Sequence, residues 1–372
     1  RRRRADHVLH RLPRLRYRGM TDTNRPAAHM AGLTVANPDH VLEQAEVARR
    51  AGELFGGALA SFDRLRPVYE NAAIDTRYSC VPIDWYQEAH GFGARNDLYI
   101  RNAVDLLERA ARGALEKAEM TADQIDGIVA VSTSGIATPS LDALLMERMN
   151  LRRDMQRLPV FGLGCAGGVL GLARAAQMAM SQPGKTYLLL VVELCGLTFR
   201  SRDYSKSNVI ATALFGDGAA AALVGTHLTG GAAIHSFAEH TWRDTLDVMG
   251  WDVTDDGLSV IFSRDIPTHV RARMGEAMDG YLAREGLNLD DFRHFLSHPG
   301  GAKVLDALEE IFGLETGGLV HSRRVLAQFG NMSAATVLFV VRAAMDDGLH
   351  GRALLSTLGP GFTAGFLTLD LP

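Results

Sequence analysis

Between residues 159 and 180 the chain reads Pro159-Val-Phe-Gly-Leu-Gly-Cys165-Ala-Gly-Gly-Val-Leu-Gly-Leu-Ala-Arg-Ala-Ala-Gln-Met-Ala-Met180. A short apolar run (Val160, Phe161) enters a glycine-rich corner, and small or apolar residues then continue without a charge until Arg174. The pattern predicts a strand, a tight turn and a buried helix opening at Cys165, with glycines permitting close backbone approach. A thiol at a helix N-terminus feels the positive end of the dipole, which favours the nucleophilic thiolate. The alternative at this point is a buried core cysteine, because free Cys is among the most buried residue types.

Outward from this unit, strand and helix patterns alternate. Helical spacing runs from Tyr99 to Glu119, a β-branched strand covers 125–131 and ends at the turn cluster Ser132-Thr133-Ser134-Gly135, and Leu141–Met149 is helical. The run 187–192 is apolar throughout and predicts a strand buried on both faces. A polar loop (200–207) then leads to Phe215-Gly-Asp217-Gly and another buried strand up to Val224. Residues 31–60 read as a connecting loop with Pro38 followed by an amphipathic helix over 41–54. The region 61–100 reads as irregular and polar-aromatic, with Arg64, Arg66 and Arg77 interleaved.

The second half repeats this grammar. The stretch 121–131 aligns with 288–298, the Cys165 corner with Gly330-Asn331-Met332-Ser333, and the Phe215 turn with Leu358-Gly359-Pro360-Gly361. Three matched segments in one order point to an internal duplication of a βαβαβ-type unit. Alternating strands and helices imply α/β layers, here α/β/α/β/α, with one half over 31–229 and the other over 230–372. Cys165 opens the buried helix of the first half and Asn331 is expected to open the matching helix of the second; pseudo-twofold packing would bring both together at the centre with His298, which ends a strand. That set supplies the parts of an activated thiol site.

Composition sets outer bounds. With 47% hydrophobic and 22% charged residues the chain is an ordinary globular protein. The net charge of -4 hides eight Arg and one Asp within residues 1–20, so the body is strongly acidic, which argues against nucleic-acid binding. The Arg-rich leader lacks the apolar segment of a signal peptide, and residues 1–30 are expected to be a disordered extension. A basic patch against an anionic membrane is the alternative reading of that leader. No apolar run reaches the ~18–20 residues of a membrane span. Cys80, Cys165 and Cys195 give neither a disulfide framework nor metal-ligand spacing, which fits a reduced, cytoplasmic compartment.

The motifs Gly164-Cys165-Ala-Gly-Gly168, Phe215-Gly-Asp-Gly218, His298-Pro-Gly-Gly301, Gly330-Asn331-Met-Ser333 and Gly359-Pro-Gly-Phe362 resemble those of chalcone synthase-like type III polyketide synthases of the thiolase superfamily. The resemblance covers residue 31 to the C-terminus. It implies an acyltransferase that condenses malonyl-CoA onto an acyl-CoA starter, as a homodimer, with no cofactor and no metal. Cys165 would carry the starter as a thioester. His298 would pair with the thiolate. Asn331 with His298 would donate to the malonyl thioester oxygen as CO2 leaves. Phe215 resembles a gatekeeper between CoA tunnel and cavity. Thr133, Ser333, Gly359, Pro360 and Gly361 would line the site, and Arg64, Arg66 and Lys303 are candidates for the CoA phosphates.

Departures from the plant pattern point to a bacterial-type enzyme. Val260 stands where a second gatekeeper Phe is expected, Thr138 where a Met reaches the partner's cavity, and Cys195 replaces a cavity Thr near Thr198. These smaller side chains favour a medium or long fatty acyl starter, giving an alkylpyrone or alkylresorcinol. Three alternatives remain. They are a malonyl-primed naphthalene-forming synthase, a condensing enzyme of the ketoacyl-carrier-protein synthase type, and a catalytically idle acyl-binding homologue.

Overall fold

The computed structural model describes residues 27–57 and 62–372. Its first half contains β1 (Ala28–Ala36), β2 (His40–Glu43), α1 (Gln44–Phe55), the short helices α2 (Phe62–Leu65) and α3 (Pro67–Glu70), and β3 (Thr76–Ser79). It continues with α4 (Phe92–Lys117), β4 (Gly127–Val131), α5 (Leu141–Arg148), β5 (Gln156–Val160), α6 (Gly167–Ser181), β6 (Thr186–Leu194), α7 (Lys206–Leu214) and β7 (Asp217–Gly225). The second half has β8 (Ala232–Thr241), the hairpin β9 (Met249–Thr254) and β10 (Gly257–Phe262), α8 (Ile266–Glu285), β11 (His294–Ser297) and α9 (Ala302–Phe312). It ends with α10 (Val320–Phe329), α11 (Thr336–Asp346), β12 (Gly351–Gly359) and β13 (Thr363–Leu371).

The duplication is visible strand by strand. The first half orders its strands β1-β7-β6-β4-β5 and the second β8-β13-β12-β11. β4 runs parallel to both β6 and β5, and β11 parallel to β12, while the remaining pairs within each half are antiparallel. Even the entries match. A capping box joins Thr121 to Gln124 ahead of β4, and another joins Asn288 to Asp291 ahead of β11. In each, the first side chain accepts from the backbone three residues on while the third reaches back, which fixes the turn feeding the strand.

The half-sheets are not separate. β1 pairs antiparallel with β8 over Ala28–Met30, joining them into nine strands. Helix α6 touches β4, β6 and β7 of one half and β12 and β13 of the other, so the sheet must fold over it. The layers follow. α4 covers the outer face of the first half, α6 and α11 fill the middle, and α8 with α9 cover the second half. The middle layer is tight because a Cβ at Gly168 would lie 2.2 Å from the Ala334 carbonyl oxygen; only glycine lets α6 approach the turn ahead of α11.

Several local expectations are corrected. Residues 28–30, assigned to the extension, belong to β1, where Ala28 and Met30 are buried; the leader up to 26 lies outside the described residues. The loop expected after residue 31 is mostly β1, whose apolar residues are interrupted by Gly32 and so lack clean alternation. α1 starts only at Gln44, because 40–43 pair with β3. The expected loop before Phe215 contains helix α7, capped by Ser205 accepting from Asn208 N–H.

Candidate active site

Cys165 lies in the 3₁₀ turn Gly164–Ala166 that feeds α6, at the end where backbone N–H groups are unpaired. The turn is held from three sides. Gly164 N–H donates to Thr133 Oγ1 (3.1 Å), Thr357 Oγ1 donates to the Cys165 carbonyl (2.6 Å), and Gly359 packs on the turn so closely that a Cβ there would meet Leu163 O at 2.4 Å. Pro360 lies against Gly164. Thr133, Gly359 and Pro360 therefore act on the nucleophile's backbone. Gly361, at φ +70°, completes the loop.

Asn331 does not open the helix equivalent to that of Cys165. The turn matching Gly164–Ala166 is Ser333–Ala335, which puts Ala334 at the cysteine's position and Asn331 three residues earlier. Asn331 instead bridges Phe215. Its N–H donates to Leu214 O (2.8 Å) and its carbonyl accepts from Gly216 N–H (3.0 Å). Its side-chain orientation is fixed by hydrogen bonding. Oδ1 accepts from Ser333 N–H (2.8 Å), so Nδ2 is the donor, reaching Gly300 O (3.2 Å) on the wall of the cavity that Cys165 shares.

His298 follows β11, its N–H bonded to Ser356 O (2.8 Å). Cys165, His298 and Asn331 line one narrow cavity with Phe262, Met274 and Leu308 among its apolar walls. His298 is 4% exposed and both ring nitrogens lack a partner. Burial pushes its ring down to about 3 and the Cys165 thiol up to about 12. The polar side chains of Ser333 and Asn331 near the sulfur oppose the rise, while the negative Glu193 adds to it. The hydrogen-bonded thiolate–imidazolium pair expected from the sequence is not formed; each group taken alone is held neutral. Those penalties fall on lone charges. Handing the thiol proton to His298 leaves the pair neutral overall, so it costs less than either ionisation alone.

Glu193, at the end of β6, is a site residue the sequence reading missed. It is fully buried; its Oε2 accepts from Thr133 and Ser134 N–H (3.0 Å each) and its Oε1 has no partner. Burial pushes its carboxyl up to about 7. The available signal was an acid closing the run Leu188-Leu-Leu-Val-Val-Glu193, where every other side chain is apolar. Phe262 and Thr357 were missed as well, for want of any motif around them.

Phe215, Cys195, Thr198 and Val260 are brought together in a second cavity, which runs from behind Phe215 towards α1 and is walled by Val47, Leu54 and Phe55. Thr138 is not among them: it is exposed, on the loop before α5, and lines neither cavity of its own chain. Arg64, Arg66 and Lys303 are exposed and, among the described residues, make no ion pair; Lys303 neighbours Val304 in the narrow cavity's wall. No group of three or more His, Cys, Asp or Glu among the described residues is placed to hold a metal. No helix of the described residues is long and apolar enough to cross a membrane.

Comparison with known proteins matches this arrangement. The N-terminal domain of chalcone and stilbene synthases matches residues 18–227, and their C-terminal domain matches 234–369. A 1,3,6,8-tetrahydroxynaphthalene synthase of Streptomyces peucetius subsp. caesius is 38% identical over 91% of this chain and 92% of its own. A chalcone synthase-like protein of Bacillus subtilis (strain 168) is 36% identical over 91% of this chain and 98% of its own. The crystal structure of 1,3,6,8-tetrahydroxynaphthalene synthase from Streptomyces coelicolor A3(2), a bacterial type III polyketide synthase, superposes with a TM-score of 0.85 at 28% identity, covering 92% of this chain and 99% of that one. A duplicated thiolase-like sandwich with Cys, His and Asn at its centre, matched by both domains of one family, makes this chain a member of the chalcone and stilbene synthase family, the type III polyketide synthases.

Proposed function

We propose that this type III polyketide synthase primes with a medium or long fatty acyl-CoA and extends it with malonyl-CoA to an alkylpyrone or alkylresorcinol. The observation that carries the starter is the second cavity. Its far wall is mostly aliphatic (Leu42, Val47, Ala51 and Leu54, with Arg50 among them), and Val260 and Cys195 leave room beside Phe215. Each buried CH₂ contributes about 0.8 kcal/mol, so an alkyl chain gains affinity with length until the cavity ends.

In this reading the Cys165 sulfur passes its proton to His298, attacks the starter thioester and expels the CoA thiolate, which takes that proton from His298 and leaves the ring neutral. Malonyl-CoA then binds with its thioester oxygen facing Asn331 Nδ2 and His298. The carbon–carboxylate bond breaks, CO2 departs, and the enolate carbon attacks the acyl carbonyl on Cys165, releasing the thiolate. Neutral donors aimed at the enolate oxygen stabilise that transition state. Arg64, Arg66 and Lys303 hold the CoA phosphates; their exposure, with no ion pair among the described residues, supports this. The enzyme works as a homodimer. The open edge of β5, with Phe161 59% and Ile136 44% exposed beside it, supports that assembly.

A second reading, priming by malonyl-CoA itself to give a naphthalene product, is favoured by the 38% identity to a tetrahydroxynaphthalene synthase. Purified enzyme given malonyl-CoA with acyl-CoAs from acetyl to palmitoyl, and product masses read by mass spectrometry, separates the two. Products that carry the starter and rise in yield with its length support the fatty acyl reading. A single starter-independent product overturns it.

A further inference from the structure

Arg77, on β3, is 2% exposed, and among the described residues its guanidinium makes no ion pair. Burial pushes it down to about 10, which leaves it charged at neutral pH, and the nearby Asp217 carboxylate opposes that shift. Its hydrogen bonds go to neutral oxygens. Nη1 donates to Phe215 O (3.1 Å) and Nη2 donates to Gln44 Oε1. Gln44 in turn donates from Nε2 to Ala213 O and to Tyr69 O (3.1 Å each).

These contacts fall on the C-terminal end of α7, where carbonyls have no N–H of the helix left to receive and the dipole is negative. Three consecutive carbonyls are taken in turn. Ala213 O goes to Gln44, Leu214 O to the Asn331 N–H, and Phe215 O to Arg77. The Asn331 backbone is thus seated in the middle of a clamp whose outer members are Gln44 and Arg77. The Arg77 stem also fills the space beside Gly216 and Gly330, where an added Cβ would lie 3.3 and 3.4 Å from its own. Those two glycines flank the bridge between Phe215 and Asn331.

We propose that Arg77, together with Gln44, is a positioning residue for Asn331: by capping α7 it fixes the register of the Phe215–Asn331 bridge, and through it the direction of the Asn331 amide. The inference rests on Asn331 acting in the malonyl step. Arg77 borders the second cavity, but its Nη donors are taken by Phe215 O and Gln44 Oε1, so it acts on the malonyl step through Asn331. It replaces the hydrogen bonds that a mobile helix end would make with water, and it holds the gatekeeper and the donor to one another across the two halves of the chain.

The test compares malonyl-CoA decarboxylation without starter against the alkylation rate of Cys165, in the wild type, Arg77→Met, Arg77→Lys and Asn331→Ala. Small displacements of a positioned group cost up to ~10²-fold in rate. Arg77→Met is therefore expected to lower kcat by roughly tenfold or more, with KM and the alkylation rate within about twofold of wild type. Arg77→Lys, which keeps charge and a donor, is expected to recover most of the loss. If Arg77→Met does not fold, Gln44→Leu carries the same comparison, with a smaller selective loss. Unchanged decarboxylation overturns the proposal, as does a fall in alkylation and decarboxylation together that Arg77→Lys does not repair. Wild-type decarboxylation by Asn331→Ala would instead overturn the role given to Asn331, which distinguishes the two failures.

Discussion

Asn331 and Cys165 sit on different structural footings, one in a bridge and one in a helix-feeding turn, and their losses should separate. Cys165→Ala is expected to abolish acyl loading, read as a missing mass adduct, while malonyl-CoA decarboxylation persists because both donors remain. Asn331→Ala should load a starter but decarboxylate ~10²–10³-fold more slowly, the usual effect of losing one such donor. Elongated product from Cys165→Ala would remove it as the nucleophile. The neutral Cys165 and His298 make a second point testable. Burial, reinforced by the negative Glu193, holds the thiol near 12, so reactivity at neutral pH depends on His298 taking the proton. Wild-type alkylation should level off below the free-thiol pKa of ~8.5. In His298→Ala the rate should keep rising through pH 9, and at pH 7 it should be at least roughly tenfold lower. Identical profiles would reject the proton transfer.

At the scale of elements, the second cavity is walled by α1, α7 and the turn Cys195–Thr198, so a bulky group at Cys195 meets an acyl chain before it reaches α1. Cys195→Phe is expected to shift the preferred starter towards short chains, with malonyl-CoA decarboxylation within about twofold; an unshifted starter profile would detach this cavity from acyl binding. Elements with a strong pattern were legible in the sequence. β6 and α6 announce themselves as charge-free apolar runs, and the Cys165, His298 and Asn331 motifs are short and local. β1, α7 and the hairpin β9–β10 were not. β1 is broken by Gly32, and the polar first turn of α7 reads as loop until its Ser205 cap is seen. The apolar run that Glu193 closes signals its burial, but a single acid at a strand end reveals nothing of the two N–H groups waiting for it from another strand's loop. The helix-opening role inferred for Asn331 failed for a related reason: motif alignment does not count residues to the turn, whereas backbone hydrogen bonds do.

For the whole molecule, buried carboxyls set a pH dependence of stability. Glu193 is raised from 4.5 to about 7 and Asp217 from 3.8 to about 6, both by burial. In that window the folded chain holds protons the unfolded chain has released, so stability falls as pH rises from about 5 to 7. For Glu193 the full effect is on the order of 3 kcal/mol. Glu193→Gln is expected to flatten the decline in melting temperature between pH 5 and 8; an unaltered slope would place the titrating group elsewhere. The middle layer has a further consequence. Helices α6 and α11 are each covered on both sides, one side by each half of the sheet, so neither half possesses a complete interior of its own. A fragment ending near the inter-half boundary would present an uncharged helix face to its neighbours and would associate or precipitate before it could persist alone. A single unit of the repeat would have the same incomplete interior unless it paired with a second copy, and the fused chain is expected to unfold as one cooperative body.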